Sequence, residues 1–362
     1  HELVFGAGAR VARERADVAG YWPAIYLASD IDVFDWTHDA PKPAATTEDL
    51  HGRSEERQRG VYTTARLNLR DDLKLIAGLR LDWFRFANTD DIYDWDAAAW
   101  TRYQGAYRFD RHVTKYAGLV YDLDARHSAY ASYTDIFQPQ DARDASNDFI
   151  KPIVGKNYEV GVKGEYFGGA LNASAALFRV DQANLAMATG PCPFNPTITC
   201  YKPAGVVRSD GFELEAQGAL APNWQIGGGY AYVSTKVHRD SDPAVVGTRQ
   251  NTKLPTRQLK ASTSYAPAGS AWRFGANLRW QNRVYHFDDW MGHDYRTEQA
   301  AYAVVDAMVG YRFDKHLDLQ LNVGNLFDKT YYREINTQPM EWGGNALYGE
   351  PRRLMLTARY KF

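Results

Sequence analysis

Apolar and polar residues alternate with a period of two over most of the chain, in blocks of about a dozen residues. Val61, Thr63, Ala65, Leu67 and Leu69 share one parity; Tyr62, Thr64, Arg66, Asn68 and Arg70 share the other. After Asp71-Asp72, Leu73, Leu75, Ala77, Leu79, Leu81 and Trp83 alternate with Lys74, Ile76, Gly78, Arg80, Asp82 and Phe84. The pattern returns over 158–166, 272–281, 317–323 and 354–362, where Leu354, Leu356, Ala358, Tyr360 and Phe362 oppose Met355, Thr357, Arg359 and Lys361. A pleated strand sends successive side chains to opposite faces. The pattern therefore predicts about fourteen strands, near 1–13, 57–70, 73–86, 112–122, 128–137, 154–166, 171–180, 207–219, 224–236, 256–266, 271–283, 301–313, 317–327 and 350–362.

Two features separate this from a soluble sheet. The polar face carries Arg, Lys, Glu and Gln, while the apolar face ends in Trp, Tyr or Phe. Trp272 and Trp280 lie roughly 26 Å apart along an extended strand. Tilted by about 45°, that span approaches the distance between the two aromatic girdles of a membrane barrel. Connections also alternate in length. Short turns fall at Asp71-Asp72, Gly168-Gly169, 221–223, 266–270 and 314–316, and long connections cover 14–56, 87–111, 138–153, 181–206, 237–254, 284–300 and 328–349. Short turns on one side and long loops on the other is the asymmetry of outer-membrane barrels. The fold class read here is all-β, a transmembrane antiparallel up-and-down β-barrel. A propeller or sandwich is the alternative, although soluble sheets seldom join strands of about 12 residues by loops of about 20 to 40. An even count of about fourteen also permits closure without further strands.

Composition sharpens the picture in two places. The 362 residues hold 42 Lys and Arg against 44 Asp and Glu, so there is no basic excess to neutralise phosphates and no nucleic-acid partner is expected. Mean hydropathy is −0.50 and no apolar run approaches the length of a spanning helix, which excludes a helical membrane bundle but not a barrel. The first residues, His1 to Gly6, carry no signal-peptide pattern and read as starting inside an extended segment, so a fragment or processed product is expected.

Several strings then stand together: 130–140 (Tyr-Ala-Ser-Tyr-Thr-Asp-Ile-Phe-Gln-Pro-Gln), 156–161 (Lys-Asn-Tyr-Glu-Val-Gly), 209–215 (Ser-Asp-Gly-Phe-Glu-Leu-Glu), 319–332 (Leu-Gln-Leu-Asn-Val-Gly-Asn-Leu-Phe-Asp-Lys-Thr-Tyr-Tyr) and 348–362. In this order they resemble the TonB-dependent outer-membrane receptors, and the Phe-Gln-Pro-Gln stretch resembles the ferric-siderophore branch, which includes receptors for pyoverdine, alcaligin and coprogen-type chelators. The resemblance covers essentially all of 1–362 and implies the C-terminal part of a barrel of about 22 strands, with no plug domain in this chain. It implies a monomeric receptor of the bacterial outer membrane that imports a ferric siderophore. The partners implied are the TonB-ExbB-ExbD energy-coupling complex, acting through a plug domain outside this chain, and outer-membrane lipid and lipopolysaccharide. Iron arrives inside its chelator, so no cofactor and no protein metal ligand is needed. The alternatives are a receptor for another chelate (haem, cobalamin), a passive fourteen-stranded porin, and a structural barrel or surface anchor. The Phe-Arg-Ala-Pro and Asn-Pro-Asn-Leu strings of haem-uptake relatives do not occur here.

On this reading the aromatic residues of the long connections, Trp36, Trp95, Trp100, Trp290, Tyr331, Tyr332 and Trp342, are candidates to stack on a siderophore. Arg283 and Arg333 are candidates to complement its oxygens. The competing explanation for each ring is loop packing. Cys192 and Cys200 have seven residues between them, suited to a loop-closing disulfide; the spacing matches neither a CxxC pair nor a zinc site. His286, Asp288, Asp289, His293 and Asp294 form the densest His-Asp group, for which turn chemistry is the simpler explanation. With no Gly-x-Ser-x-Gly elbow and no HExxH, no catalytic residue is assigned and no enzyme is expected.

Overall fold

The computed structural model describes residues 1–20, 47–94, 98–290, 293–335 and 346–362. In chain order the strands are β1 (Glu2–Gly20), β2 (Thr47–Asn68), β3 (Leu73–Asp94), β4 (Ala99–Asp122), β5 (His127–Gln138), β6 (Ile153–Tyr166) and β7 (Leu171–Ala183). Then come β8 (Ala186–Cys192), β9 (Asn195–Pro203), β10 (Val206–Ala221), β11 (Trp224–Arg239), β12 (Arg257–Tyr265) and β13 (Trp272–Gln281). The last are β14 (Val284–Trp290), β15 (His293–Gln299), β16 (Tyr302–Arg312), β17 (Leu317–Gly324), β18 (Tyr332–Ile335), β19 (Ala346–Tyr348) and β20 (Arg353–Tyr360). Among the described residues the only helical turn is a 3₁₀ turn at Pro243–Val245.

Fourteen strands form one antiparallel sheet in the order β1-β2-β3-β4-β5-β6-β7-β10-β11-β12-β13-β16-β17-β20, so each strand pairs with the next long strand of the chain. The pairs β8–β9, β14–β15 and β18–β19 are separate hairpins set into three of the long connections. All six short turns lie at one end of the sheet and all the long connections at the other. At the short end Gly168 and Gly169 take φ of +68° and +87°, a left-handed conformation that a side chain would strain. Among the described strands β1 and β20 are not paired with each other, so these fourteen form an open arc rather than the self-closed ring that the strand count permits.

Burial is inverted with respect to a soluble protein. Leu79, Leu177 and Leu356 are 54%, 61% and 69% exposed on the outer face, while Asp82 on the opposite face is 4% exposed. Inner-face charges are paired along the wall: Arg80 with Asp82 at 2.7 Å, Lys74 with Asp122 at 2.5 Å and Arg273 with Asp318 at 2.7 Å. An outer face of Leu, Val and aromatics backed by a charged inner face is stable only if hydrocarbon covers the first and water or protein the second. Neighbouring strands place Trp224, Tyr265, Trp272 and Tyr311 in one outer band toward the short-turn end.

The first four strands are longer than predicted. Residues 14–20, 47–56, 87–94 and 99–111, expected as connections, continue β1 to β4. Above the apolar band both faces are charged, as in Arg10–Glu56 at 3.2 Å and Arg13–Glu55 at 2.8 Å, so the hydrophobic alternation stops while the ladder goes on. In β4 the pattern is also broken by a bulge. Asp82 pairs with His112 but Phe84 with Phe109, and Arg111 takes φ of 61°. The inner face of β4 accordingly shifts from even positions (His112, Thr114, Tyr116) to odd ones (Phe109, Tyr107, Gly105, Tyr103).

Candidate functional site

Above the bulge the inner face of β3 and β4 is aromatic. Phe84 and Phe86 face Phe109 and Tyr107 across the ladder, with ring centroids 5.7 Å apart for Phe84–Tyr107 and 5.4 Å for Phe86–Tyr107. The β5–β6 connection, 139–152, folds onto this surface. Phe149 meets Tyr107 at 4.9 Å and Phe86 at 5.7 Å, and Phe137, at the end of β5, stacks on His112 at 3.7 Å. Such ring pairs each add about 0.5–1.5 kcal/mol beyond their buried area.

Arg143 ties the connection down. Its guanidinium lies 4.0 Å from the Phe149 ring centre and donates to Asn88 Oδ1 at 2.7 Å and to the Asn147 carbonyl at 2.8 Å. The opposing position on β4 is Gly105, where a Cβ would collide with the Arg143 head and the Phe149 ring. Glycine there permits the close approach. Asp90, on the same face of β3 and well above the apolar band, has its carboxyl pushed above the usual carboxylate range by burial, which the nearby Arg143 charge only partly offsets. Burial likewise lowers the Arg143 guanidinium against the pull of Asp90, Asp141 and Asp148.

The Phe-Gln-Pro-Gln string is part of this assembly. Gln140 Nε2 donates to the Lys151 and Asn184 carbonyls, and Asn184 Nδ2 donates to the Pro152 carbonyl at 3.0 Å, closing the base of the connection. Cys192 and Cys200 form the expected disulfide, joining β8 to β9 with both residues 1% exposed. Tyr201 N donates to the Arg143 carbonyl at 2.8 Å, and the Tyr103 hydroxyl donates to the Phe194 carbonyl at 3.3 Å. The disulfide hairpin therefore braces the same inner surface from above.

The residues named from sequence are placed in two separate regions. Trp100 lies on the outer face of β4, stacked on His51 at 4.9 Å and set against Tyr93 at 5.4 Å, away from the inner aromatic surface. Near the other edge of the sheet, Tyr331 stacks on Tyr302 at 4.5 Å and fills the space beside Gly349. Tyr332 N donates to Gln299 Oε1 at 2.7 Å, and its ring lies 4.8 Å from Tyr348. Packing thus accounts for both tyrosine rings. Arg283 is exposed and 3.6 Å from Glu298; Arg333 is exposed. Trp36, Trp95 and Trp342 lie outside the described residues, as does the side chain of Trp290, whose backbone closes the β14–β15 hairpin. The same holds for the side chains of Asp288, Asp289, His293 and Asp294; among the described residues no metal-binding group of His, Cys, Asp or Glu gathers.

Tyr103, Tyr107, Phe109, Arg143 and Phe149 escaped the sequence reading. Their signal was present as alternation through Tyr103, Gly105, Tyr107 and Phe109, but the bulge cut it off from the strand below. Together they gather flat apolar faces and phenol rings on the inner wall at its loop end, with the Arg143 guanidinium holding Phe149 in place. That set suits a planar, oxygen-rich ligand.

Residues 10–326 match the family described as TonB dependent receptor-like, beta-barrel. The chain is 35% identical to the ferripyoverdine receptor of Pseudomonas aeruginosa over 100% of its own length and 42% of that protein. It is 33% identical to the ferric-pyoverdine M114 receptor PbuA of a Pseudomonas strain, over 100% of the chain and 43% of that protein. The crystal structure of the P. aeruginosa ferripyoverdine receptor bound to ferripyoverdine superposes with a TM-score of 0.81 at 33% identity, covering 99% of this chain and 46% of that one. A structure of FpvAI in complex with pyocin S2 gives 0.80 at 33% identity, with coverages of 99% and 46%. The chain spans less than half the length of the curated relatives it matches. On the family match, the inverted burial and the up-and-down ladder, the chain belongs to the β-barrel family of TonB-dependent receptors of the outer membrane.

Proposed function

We propose that this barrel segment serves a receptor that imports a ferric siderophore, of the pyoverdine kind or close to it in chemistry. The observation that carries the reading is likeness to ferripyoverdine receptors over the whole chain, at 33–35% identity. The inner aromatic surface gives it a physical basis. Tyr103, Tyr107 and Phe149 would stack on the chromophore or chelate faces, Arg143 would hold their geometry, and Arg283 and Arg333 would meet ligand carboxylates. Iron is cargo, wrapped by its chelator.

An open sheet edge in hydrocarbon leaves backbone donors and acceptors unpaired at several kcal/mol each. The edges of β1 and β20 thus need partner strands, which favours a larger barrel over a fourteen-stranded porin. Such a barrel is wide enough to require a plug, and transport through it would draw on the TonB-ExbB-ExbD complex.

The test is binding of iron-loaded pyoverdine, a hydroxamate and a catecholate siderophore to the full-length protein, read by quenching of Trp and Tyr fluorescence, beside single-channel conductance. Saturable quenching by ferripyoverdine with a silent channel supports the proposal. A steady open conductance without quenching would favour the porin, and quenching by haem or cobalamin alone would move the substrate class.

A further inference from the structure

We propose that Tyr332 of β18 and Tyr348 of β19 form an oxidative cross-linking site, joined as a dityrosine by hydrogen peroxide acting through a one-electron ferric catalyst. The two residues are ladder partners on the rung at the base of this hairpin. Their ring centroids lie 4.8 Å apart with the planes tilted by 43°, and their hydroxyl oxygens approach to 3.4 Å. The hydroxyl ends are therefore closer than the ring centres, which brings the carbons ortho to each oxygen to the point of contact. Both arms are held beneath the rings. Tyr332 N donates to Gln299 Oε1 at 2.7 Å, and Gly349 N donates to the Tyr331 carbonyl at 2.8 Å. Tyr348 is 66% exposed, so an oxidant in solution reaches it.

Other tyrosine pairs lack one of these features. Tyr302 and Tyr331 stack nearly parallel, at 26°, and Tyr302 is half-buried. Tyr133 and Tyr158 lie 5.3 Å apart on the lipid-facing side, where the Tyr133 hydroxyl donates to Asp135 instead.

The chemistry balances without a protein cofactor. Each phenol gives up one electron and its hydroxyl proton, and the unpaired spin spreads to the ortho carbons. One ortho carbon of each ring forms the new C–C bond, and the hydrogens on those carbons pass to the oxygens to restore two phenols. The two electrons and two protons that leave reduce one hydrogen peroxide to two waters. The catalyst, a haem peroxidase or a ferric chelate, carries the electrons one at a time.

This hairpin gains more from a covalent clip than the other two. Cys192–Cys200 closes β8–β9, and β14–β15 has an unbroken ladder from Val284–Gln299 to Trp290–His293. Among the described residues β18–β19 pairs only at Tyr332–Tyr348, Glu334–Leu347 and Ile335–Ala346, and the chain holds no further cysteine. So short a ladder is marginal by itself. A bond between its arms removes closure entropy from the opened state, as a disulfide does.

The test treats the full-length protein, folded in detergent, with limiting hydrogen peroxide and a haem peroxidase, and in a second arm with a ferric chelate in place of the peroxidase. Free tyrosine in a parallel mixture shows that the oxidant is active. Tryptic digestion should release 330–333 joined to 334–352 with the loss of two hydrogens, and fragmentation should place the bond at Tyr332 and Tyr348. Tyr332→Phe and Tyr348→Phe should each abolish the joined peptide, and Tyr302→Phe should leave it intact; heat-modified gel mobility reports barrel folding in each. After oxidation the amides of β18 and β19 should exchange roughly 100-fold more slowly, with no change in oxidised Tyr348→Phe. Absence of the joined peptide from the oxidised protein would overturn the assignment. So would its persistence in Tyr332→Phe through Tyr331, or unchanged exchange once the bond has formed.

Discussion

Two adjacent residues of β13 give the sharpest test of which face meets lipid. Ala276 lies four residues from Trp272 and four from Trp280, on their face, with Thr263 and Ala307 as its ladder neighbours. Four residues correspond to about 13 Å along the strand, or about 9 Å of depth at a 45° tilt. Ala276 is thus near the centre of the apolar band, with no charged residue as a ladder neighbour. Asn277 points to the bore and stands opposite Asp306. An arginine at a lipid-facing midplane site costs about 2–4 kcal/mol, a factor of roughly 30 to 700 in the folding constant. Ala276→Arg should therefore lower the stability of the protein refolded in phospholipid vesicles by that amount. Asn277→Arg, solvated and beside a carboxylate, should change it by no more than about 0.5 kcal/mol. Reversible urea titrations followed by Trp fluorescence and gel mobility measure both. Equal costs, or a larger cost at Asn277, would refute the assignment of faces.

The inner aromatic surface makes three further predictions. Arg143→Ala removes hydrogen bonds from a charged donor to Asn88 and Asn147 together with a ring contact, so 139–152 should undock with a loss of about 2 kcal/mol in hydrogen-exchange protection while the membrane strands keep theirs. Replacing Cys192 and Cys200 by Ser opens a small ring worth about 2.5 kcal/mol in the chain-entropy model, and the β8–β9 amides should exchange correspondingly faster. Because burial raises the Asp90 carboxyl above its unfolded value, docking of 139–152 is favoured below the ordinary carboxylate range and loses that contribution as pH rises through the elevated pKa. Proteolysis of 139–152 should accordingly quicken as pH rises above the ordinary carboxylate range of about 4, and Asp90→Asn should abolish the change; an identical pH profile in the variant would remove Asp90 as its source.

Much of the fold was legible because period-two alternation is local. Leu73 to Trp83 and Leu354 to Phe362 declare their faces with no knowledge of a neighbour, and Gly168-Gly169 declares its turn. The same locality let the disulfide, the strand order and the family emerge from residues alone. It failed where the environment stopped being two-sided. Above the apolar band Arg13, Glu55 and Arg57 make both faces polar, so β1 and β2 outrun their hydrophobic pattern while their backbone ladder continues. At Asp110 and Arg111 one bulge reverses parity, which hid Tyr107 and Phe109; Trp100, expected in a connection, instead lies on the outer face of β4.

What only the tertiary structure decided is register between distant segments. The docking of Arg143 against Gly105 and the burial of Asp90 both depend on which rung faces which. Register is fixed by the sum of many cross-strand contacts rather than by any one stretch of chain. The amino-acid sequence by itself determined the strands and the side of each that meets lipid; pairing determined which charges and rings share a surface, because side chains far apart in the chain meet only once the ladder sets their level.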